Sequence, residues 1–145
     1  MTKRKGKKPA AVLWELCKTL TRERYGNTCY TCRKGPLTGS NWHTGHFITK
    51  SICSTELAYD LKNLRPQCYH CNINLSGNWP AFEARLLAEE GQAYVNDLKD
   101  RNRATKGQKF GTPWLIKKAE EYRALLEAAP AASQSSSPKH TPASG

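Results

Sequence analysis

The chain has 145 residues, 38% hydrophobic and 24% charged, which bounds it to one globular domain with tails and a core modest enough to want a staple such as a metal. No segment approaches the run of about 20 apolar residues that a bilayer-spanning helix needs, so a membrane class is excluded. The formal net charge is +11: residues 1–75 carry 13 Lys and Arg against 4 Asp and Glu, while residues 76–145 carry 10 against 8, and a half that basic points to a polyanionic partner, nucleic acid first.

In chain order, residues 1–9 form a basic arm, "MTKRKGKKP", suited to phosphate contact or to solvation as a tail. The spacing of Val12, Leu13, Leu16, Cys17 and Leu20 predicts a helix from Pro9 to about Tyr25, with Trp14 on its flank, Cys17 as a small buried hydrophobe, and Gly26-Asn27 as the stop. Its "AVLWELCKTL" start carries Glu15 and Lys18, which makes a poor signal-peptide core. The expectation is therefore an intracellular protein with reduced thiols. A knuckle and turn follow, "NTCYTCRKGPLTGSN". Short β-type pieces are expected around Trp42–Thr49 and Leu61–Arg65, the second ended by Pro66, with room for one helical turn between them and for a helix opening near Tyr69. Residues 80–129 read as a helical extension. One helix there, or two broken at Gly91, carries Phe82, Leu86, Leu87, Tyr94, Val95 and Leu98. Another begins at Thr112-Pro113 and carries Leu115, Ile116, Ala119, Tyr122, Leu125 and Leu126. Residues 130–145 read as a disordered tail, which contains His140.

Two Cys-x-x-Cys pairs, Cys29/Cys32 and Cys68/Cys71, are the strongest signal. Two intervening residues let both thiolates of a pair point at one ion, and four thiolates complete a tetrahedral Zn²⁺. Such a site has no open position, so the expected zinc is structural and any catalysis lies elsewhere. Cys53 lacks a partner at ligand spacing, and His70, between two ligands, is expected to point away from the ion toward DNA.

Between the knuckles lies "WHTGHFI". On a strand His43 and Gly45 share one face, and His46 looks to the other. Asn63 precedes the second knuckle, and Asn72 follows its last cysteine. The order Cys-x-x-Cys, strand with His, Asn, Cys-x-x-Cys-Asn resembles a zinc-stapled HNH, or His-Me finger (ββα-metal), endonuclease, and is similar to the phage resolvase endonuclease VII. More closely, "LWELCKTLTRERYGNTCYTC", "GSNWHTGHFI" and "YDLKNLRPQCYHCNINLSGN" resemble the phage recombination protein family NinG, or Rap, from about Leu13 to Leu98.

That resemblance implies an α+β fold: a ββα-metal core over residues 10–79, counting its leading helix, with flanking N- and C-terminal helices. It implies His46 as general base, Asn63 as the brace between the strands, and Asn72 as a ligand of a catalytic Mg²⁺ or Mn²⁺. Many relatives carry an acidic or His ligand just before the base. Here that position is Gly45, so His43 and Asp60 become the candidate further ligands. Arg33, Lys34, Lys50, Lys62 and Arg65 can neutralise phosphates, with His70 beside them, and Trp42, Tyr30 and Tyr69 are candidates for base stacking. The implied activity is cleavage of branched DNA, such as Holliday junctions and D-loops, in the bacterial host's cytoplasm beside other phage recombination proteins. Symmetric cutting of a four-way junction calls for a homodimer, for which the apolar stripes of the C-terminal helices are the expected surfaces. The competing readings are a non-catalytic zinc-knuckle module that binds DNA, an HNH nuclease acting on linear duplex, and a protein–protein adaptor.

Overall fold

The structure, a computed structural model, describes residues 6–136. Five α-helices and two short strands make an α+β, helix-rich architecture: α1 (Pro9–Tyr25), β1 (His43–His46), α2 (Thr55–Ala58), β2 (Leu64–Gln67), α3 (Trp79–Glu90), α4 (Gln92–Ala104) and α5 (Thr112–Ser136). Single 3₁₀ turns at Gly39–Asn41 and Leu61–Asn63 precede the strands, and a π-helical turn, His70–Asn74, follows the second knuckle. The helix α5 extends past Pro130, where a tail was expected to begin. The remainder of that tail, with His140, and residues 1–5 of the arm lie outside the described residues.

Local sequence explains the element ends. Pro9 opens α1, Arg22 and Arg24 complement the dipole in its last turn, and Gly26, at φ 76°, turns its amide back onto the Arg22 carbonyl. The hydroxyl of Ser54 accepts the amide of Leu57 at 3.3 Å and caps α2. Gly91, at φ 94°, divides the periodic stretch 79–104 into α3 and α4.

The two strands pair antiparallel, His43 opposite Gln67 and His46 opposite Leu64. The expected stop at Pro66 is corrected here: Pro66 lies inside β2, paired with Thr44. A two-stranded ribbon consists of edges, where proline is tolerated, and the Pro66 carbonyl accepts the amide of Tyr30 at 2.8 Å, which ties the first knuckle to the sheet. Residues 61–63, expected in the strand, form the 3₁₀ turn instead.

Three apolar clusters flank this hairpin. Leu13, Cys17 and Leu20 of α1 pack with Leu61, Leu64, Ala119 and Tyr122, and the Tyr122 hydroxyl donates to the Tyr59 carbonyl at 2.6 Å. Phe47, Ile48 and Leu57 pack with Phe82 and Leu86 of α3 and Val95 and Leu98 of α4. Leu37 packs among the knuckle cysteines. Much of the stripes expected to serve as dimer surfaces packs within the chain, α5 on α1 and α3 and α4 over the hairpin loops, while Ile116 and Leu125 of α5 stay exposed.

Arg65 is the largest correction among the expected phosphate-binding residues. It is fully buried, where no phosphate reaches it. Its guanidinium stacks on Tyr25 at 4.2 Å, donates to the Leu64 carbonyl at 2.8 Å and to the Tyr94 hydroxyl at 3.1 Å, and pairs with Glu90 at 3.3 Å. Every residue of β2 is buried, and around residue 65 three tyrosines make a cage for a planar cation. Truncating Arg65 empties the cage and removes the donor that the buried Leu64 carbonyl accepts from. Arg65→Ala is expected to cost about 3 kcal/mol in urea denaturation, whereas exposed Lys62→Ala costs about 0.5 kcal/mol or less. Equal small effects would show that Arg65 is not structural.

Candidate functional site

The four cysteine sulfurs of the knuckles lie within 4.8 Å of one another, and the Cys32 and Cys68 sulfurs are 3.8 Å apart. Tetrahedral Zn–S bonds of about 2.3 Å place thiolates about 3.8 Å apart, so the set can hold a metal such as zinc. All four are free thiols. The amides of Cys32 and Cys71 point at the sulfurs of Cys29 (3.5 Å) and Cys68 (3.4 Å), and the Asn78 amide donates to Cys71 Sγ at 3.6 Å. Burial raises the thiol pKa values of Cys32 and Cys68. Burial also opposes ionisation of Cys29, but the Cys32 amide and the Thr31 hydroxyl outweigh it and bring that thiol down to about 6. Cys53 and Cys17 stay apart from the cluster: the Cys17 thiol donates to the Tyr59 carbonyl, and burial pushes its pKa up to about 12. His70 is exposed, turned outward and bonded to Asn74 at 3.2 Å.

Beside the hairpin opens a cleft of about 580 Å³, lined by Trp14, His46 and Asn72 with Lys50 at its rim. The His46 ring stacks on Trp14, centroids 5.3 Å apart and planes 8° from parallel. Its Nε2 lies 2.9 Å from the Ala58 carbonyl. A carbonyl only accepts, so Nε2 carries the proton, and Nδ1 is the basic nitrogen of the neutral ring. Burial pushes the His46 pKa down to about 4 against the opposing pull of that carbonyl, so the ring is neutral at physiological pH. Asn63 is buried with its amide fully used: Nδ2 donates to the carbonyls of Ile48 and Leu57, both at 3.1 Å, and Oδ1 accepts the Ile48 amide at 2.7 Å. Those bonds clamp the chain leaving β1 against the turn that enters β2.

His43 and Asn72 meet. The His43 Nε2 lies 2.9 Å from the Ser40 carbonyl and so donates to it. In the neutral ring this leaves Nδ1 to accept the Asn72 amide at 3.0 Å. The His43 lone pair is therefore occupied, which corrects its expected place as a metal ligand: it holds Asn72. Asp60 is corrected as well. One of its oxygens pairs with Arg101 at 2.8 Å, the other caps the Leu61–Asn63 turn by accepting the Lys62 amide at 2.9 Å, and the residue does not line the cleft.

Among the expected DNA contacts, Arg33 and Lys34 are exposed on the first knuckle and Lys50 at the cleft, while Lys62 is exposed but paired with Asp97 at 3.1 Å. Tyr30, a candidate for base stacking, is buried and donates its hydroxyl to Glu89; Tyr69 is half-exposed, and Trp42 lies under Arg22 at 4.3 Å. Sequence reasoning missed Trp14, because helical periodicity marks it only as a flank, and missed Lys18 and Arg22, which α1 brings to an adjoining cleft with His43 and Asn72.

Removing a bound ion with a strong chelator is expected to abolish the cooperative thermal transition, because four crowded thiols, three of them buried, do not hold the knuckles together by themselves. The same calorimetric transition before and after chelation would rule out a structural metal.

The sequence model described as "Bacteriophage Lambda NinG protein" matches residues 7–131. The chain is 30% identical over 74 residues to Protein ninG of Escherichia phage lambda, covering 51% of this chain and 35% of that protein. It is 31% identical over 74 residues to Protein ninG of Escherichia phage 933W, with the same coverage, and 32% identical over 71 residues to that of Salmonella phage P22, covering 49% of this chain and 34% of the relative. The chain thus spans about a third of the length of the curated relatives it matches. No solved structure matches. With 7–131 of its 145 residues inside the family's model, the chain belongs to the NinG family of bacteriophage proteins.

Proposed function

We propose that the chain is a divalent-metal-dependent DNA endonuclease of the zinc-stapled HNH (His-Me finger) type that cuts branched recombination intermediates. The observation that carries this reading is the neutral His46 imidazole, its proton fixed on Nε2 and its Nδ1 basic, in one cleft with the Asn72 amide and Lys50. The preference for Holliday junctions and D-loops rests on the family resemblance, as do the homodimer, the companion recombination proteins and the host cytoplasm as the place of action.

The residues present suit a hard cation in one respect: Asn72 offers an amide oxygen at the cleft, its nitrogen being taken by His43. No Asp or Glu lines the cleft among the described residues, so a cation there depends on DNA phosphate and water for its remaining ligands. When bound, Mg²⁺ or Mn²⁺ supplies charge stabilisation at the scissile phosphate and the leaving 3′ oxygen. His46 Nδ1 takes the proton of the attacking water as the new P–O bond forms and the bond to the 3′ oxygen breaks, giving 5′-phosphate and 3′-hydroxyl ends. The Ala58 carbonyl stabilises the imidazolium that results, and Trp14 keeps the ring from turning. Asn63 holds the Ile48 segment just after the base. Lys50 and the knuckle cations Arg33 and Lys34 bind backbone phosphates without reading sequence. The zinc-knuckle DNA-binding module is the second reading, favoured by the lack of a carboxylate in the cleft.

Cleavage of a labelled four-way junction and a matched linear duplex in Mg²⁺ tests the proposal. Wild type is expected to cut the junction preferentially, and His46→Ala, with zinc content and junction binding intact, to lose at least about 100-fold in rate. Binding without cleavage by either protein moves the reading to the DNA-binding module.

The acid limb of the pH–rate profile is expected well below the ordinary histidine value of 6.5, toward about 4. The sign for stability is the same. The unfolded chain takes up this proton near 6.5 and the folded chain only near 4, so the contribution is complete above about 6.5 and is lost as pH falls toward about 4. An acid limb at or above 6.5, followed in the His46-dependent rate, argues against this ring as the base.

A further inference from the structure

Gly45 stands where a metal-binding side chain would precede the base, and the space its side chain would fill is already taken. A Cβ built on Gly45 falls 1.9 Å from Gln67 Oε1 and 3.2 Å from Asn72 Oδ1. The cross-strand neighbourhood therefore requires glycine at 45, and the atom that requires it is an oxygen. Gln67 is fully buried, and its Oε1 has no hydrogen-bond partner among the described residues. Leaving a buried carbonyl oxygen unpaired is unfavourable, so it calls for a partner.

The two amides cannot be reoriented to supply one. Gln67 Nε2 donates to the Gly77 carbonyl at 2.9 Å and to Thr31 Oγ1 at 3.0 Å. Turning the amide over would set its oxygen against the Gly77 carbonyl oxygen. Asn72 is fixed through a chain of donors: the Ser40 carbonyl takes the His43 Nε2 proton, and His43 Nδ1 takes the Asn72 amide. The outcome is that Gln67 Oε1 occupies the place of a Gly45 side chain and Asn72 Oδ1 lies 3.2 Å from that same point, with Asn72 lining the cleft. A hard cation takes such amide oxygens as ligands and would give the unpaired Gln67 Oε1 its partner.

We infer that Gln67 Oε1 and Asn72 Oδ1 form the protein's share of the divalent-cation site, with Gln67 contributing across the strand the ligand that residue 45 lacks. His43 acts through Asn72 as a positioning residue. The assignment rests on the metal-dependent reading above and deepens it. Two neutral amide oxygens bind Mg²⁺ or Mn²⁺ weakly alone, so the site fills fully when DNA phosphate joins it.

Paramagnetic broadening detects such a weak site without reference to cleavage. Zinc-loaded, ¹⁵N-labelled protein is titrated with Mn²⁺, with zinc content checked at the end. Expected first are losses of the Gly45 backbone signal and of the Gln67 and Asn72 side-chain amide signals. Gln67→Ala should raise the Mn²⁺ concentration for half-broadening at Gly45 by about tenfold or more. Gly45→Asp combined with Gln67→Ala, which grows a carboxylate into the vacated volume, should restore it. Early broadening elsewhere, or an unchanged response in folded Gln67→Ala, overturns the assignment and leaves the nuclease reading intact. If Gln67→Ala does not fold, the wild-type broadening pattern decides. Broadening at these three residues in a protein that cuts no DNA supports the cation site and overturns the nuclease instead.

Discussion

The structure hangs on four thiols converging on one point. Cys29 and Cys32 precede the hairpin, Cys68 and Cys71 follow it, and drawing their sulfurs within 4.8 Å closes the chain around His43–Gln67. Two strands of four residues cannot hold themselves together in water. Clamped at both ends and covered by helices, they become a platform stiff enough to aim side chains. The clamp also explains why so small a chain keeps three separate apolar clusters rather than one large core.

Three of the polar side chains buried inside that frame, Asn63, Arg65 and Gln67, are the large ones. Asn63 substitutes its amide for missing backbone partners where the chain turns between the strands. Arg65, caged by tyrosines, ties β2 to α3 and α4 through Glu90 and Tyr94. Gln67 reaches from β2 to the first knuckle and to Gly77 while leaving one oxygen unpaired. Each buried polar group costs desolvation unless bonded, so their near-complete satisfaction fixes register and rotamer together. The unmet Gln67 Oε1 lies beside Gly45.

The helices tune the cleft rather than merely covering the sheet. The Trp14 ring of α1 both desolvates His46 and fixes its plane, and the end of α2 supplies the Ala58 carbonyl that selects its tautomer. The low pKa keeps the ring neutral at physiological pH. Lys18, Arg22 and Lys50 stand along the same side, so the positive charge of the first half of the chain is partly gathered at the cleft.

Sequence alone determined what depends on local spacing: the paired cysteines as one metal-binding set, the α1 boundaries, the Gly91 break, and the apolar stripes of α3 to α5. It also placed His46, Asn63 and Asn72 as a group of interest, because they recur in order around the knuckles. Tertiary structure decided what depends on which atoms meet. Arg65 and Lys62 read alike as cations near a motif, yet a tyrosine cage buries one while the other stays exposed. Asp60 is drawn away by Arg101, 41 positions along the chain, and His43 is occupied by Asn72. Trp14 meets His46 only because α1 packs across the hairpin, and Gln67 fills the place of a side chain at Gly45 only because the register, with His43 opposite Gln67, makes them diagonal neighbours. Hydrogen-bond direction and steric exclusion act over a few ångströms between residues far apart in sequence, and no periodicity encodes them.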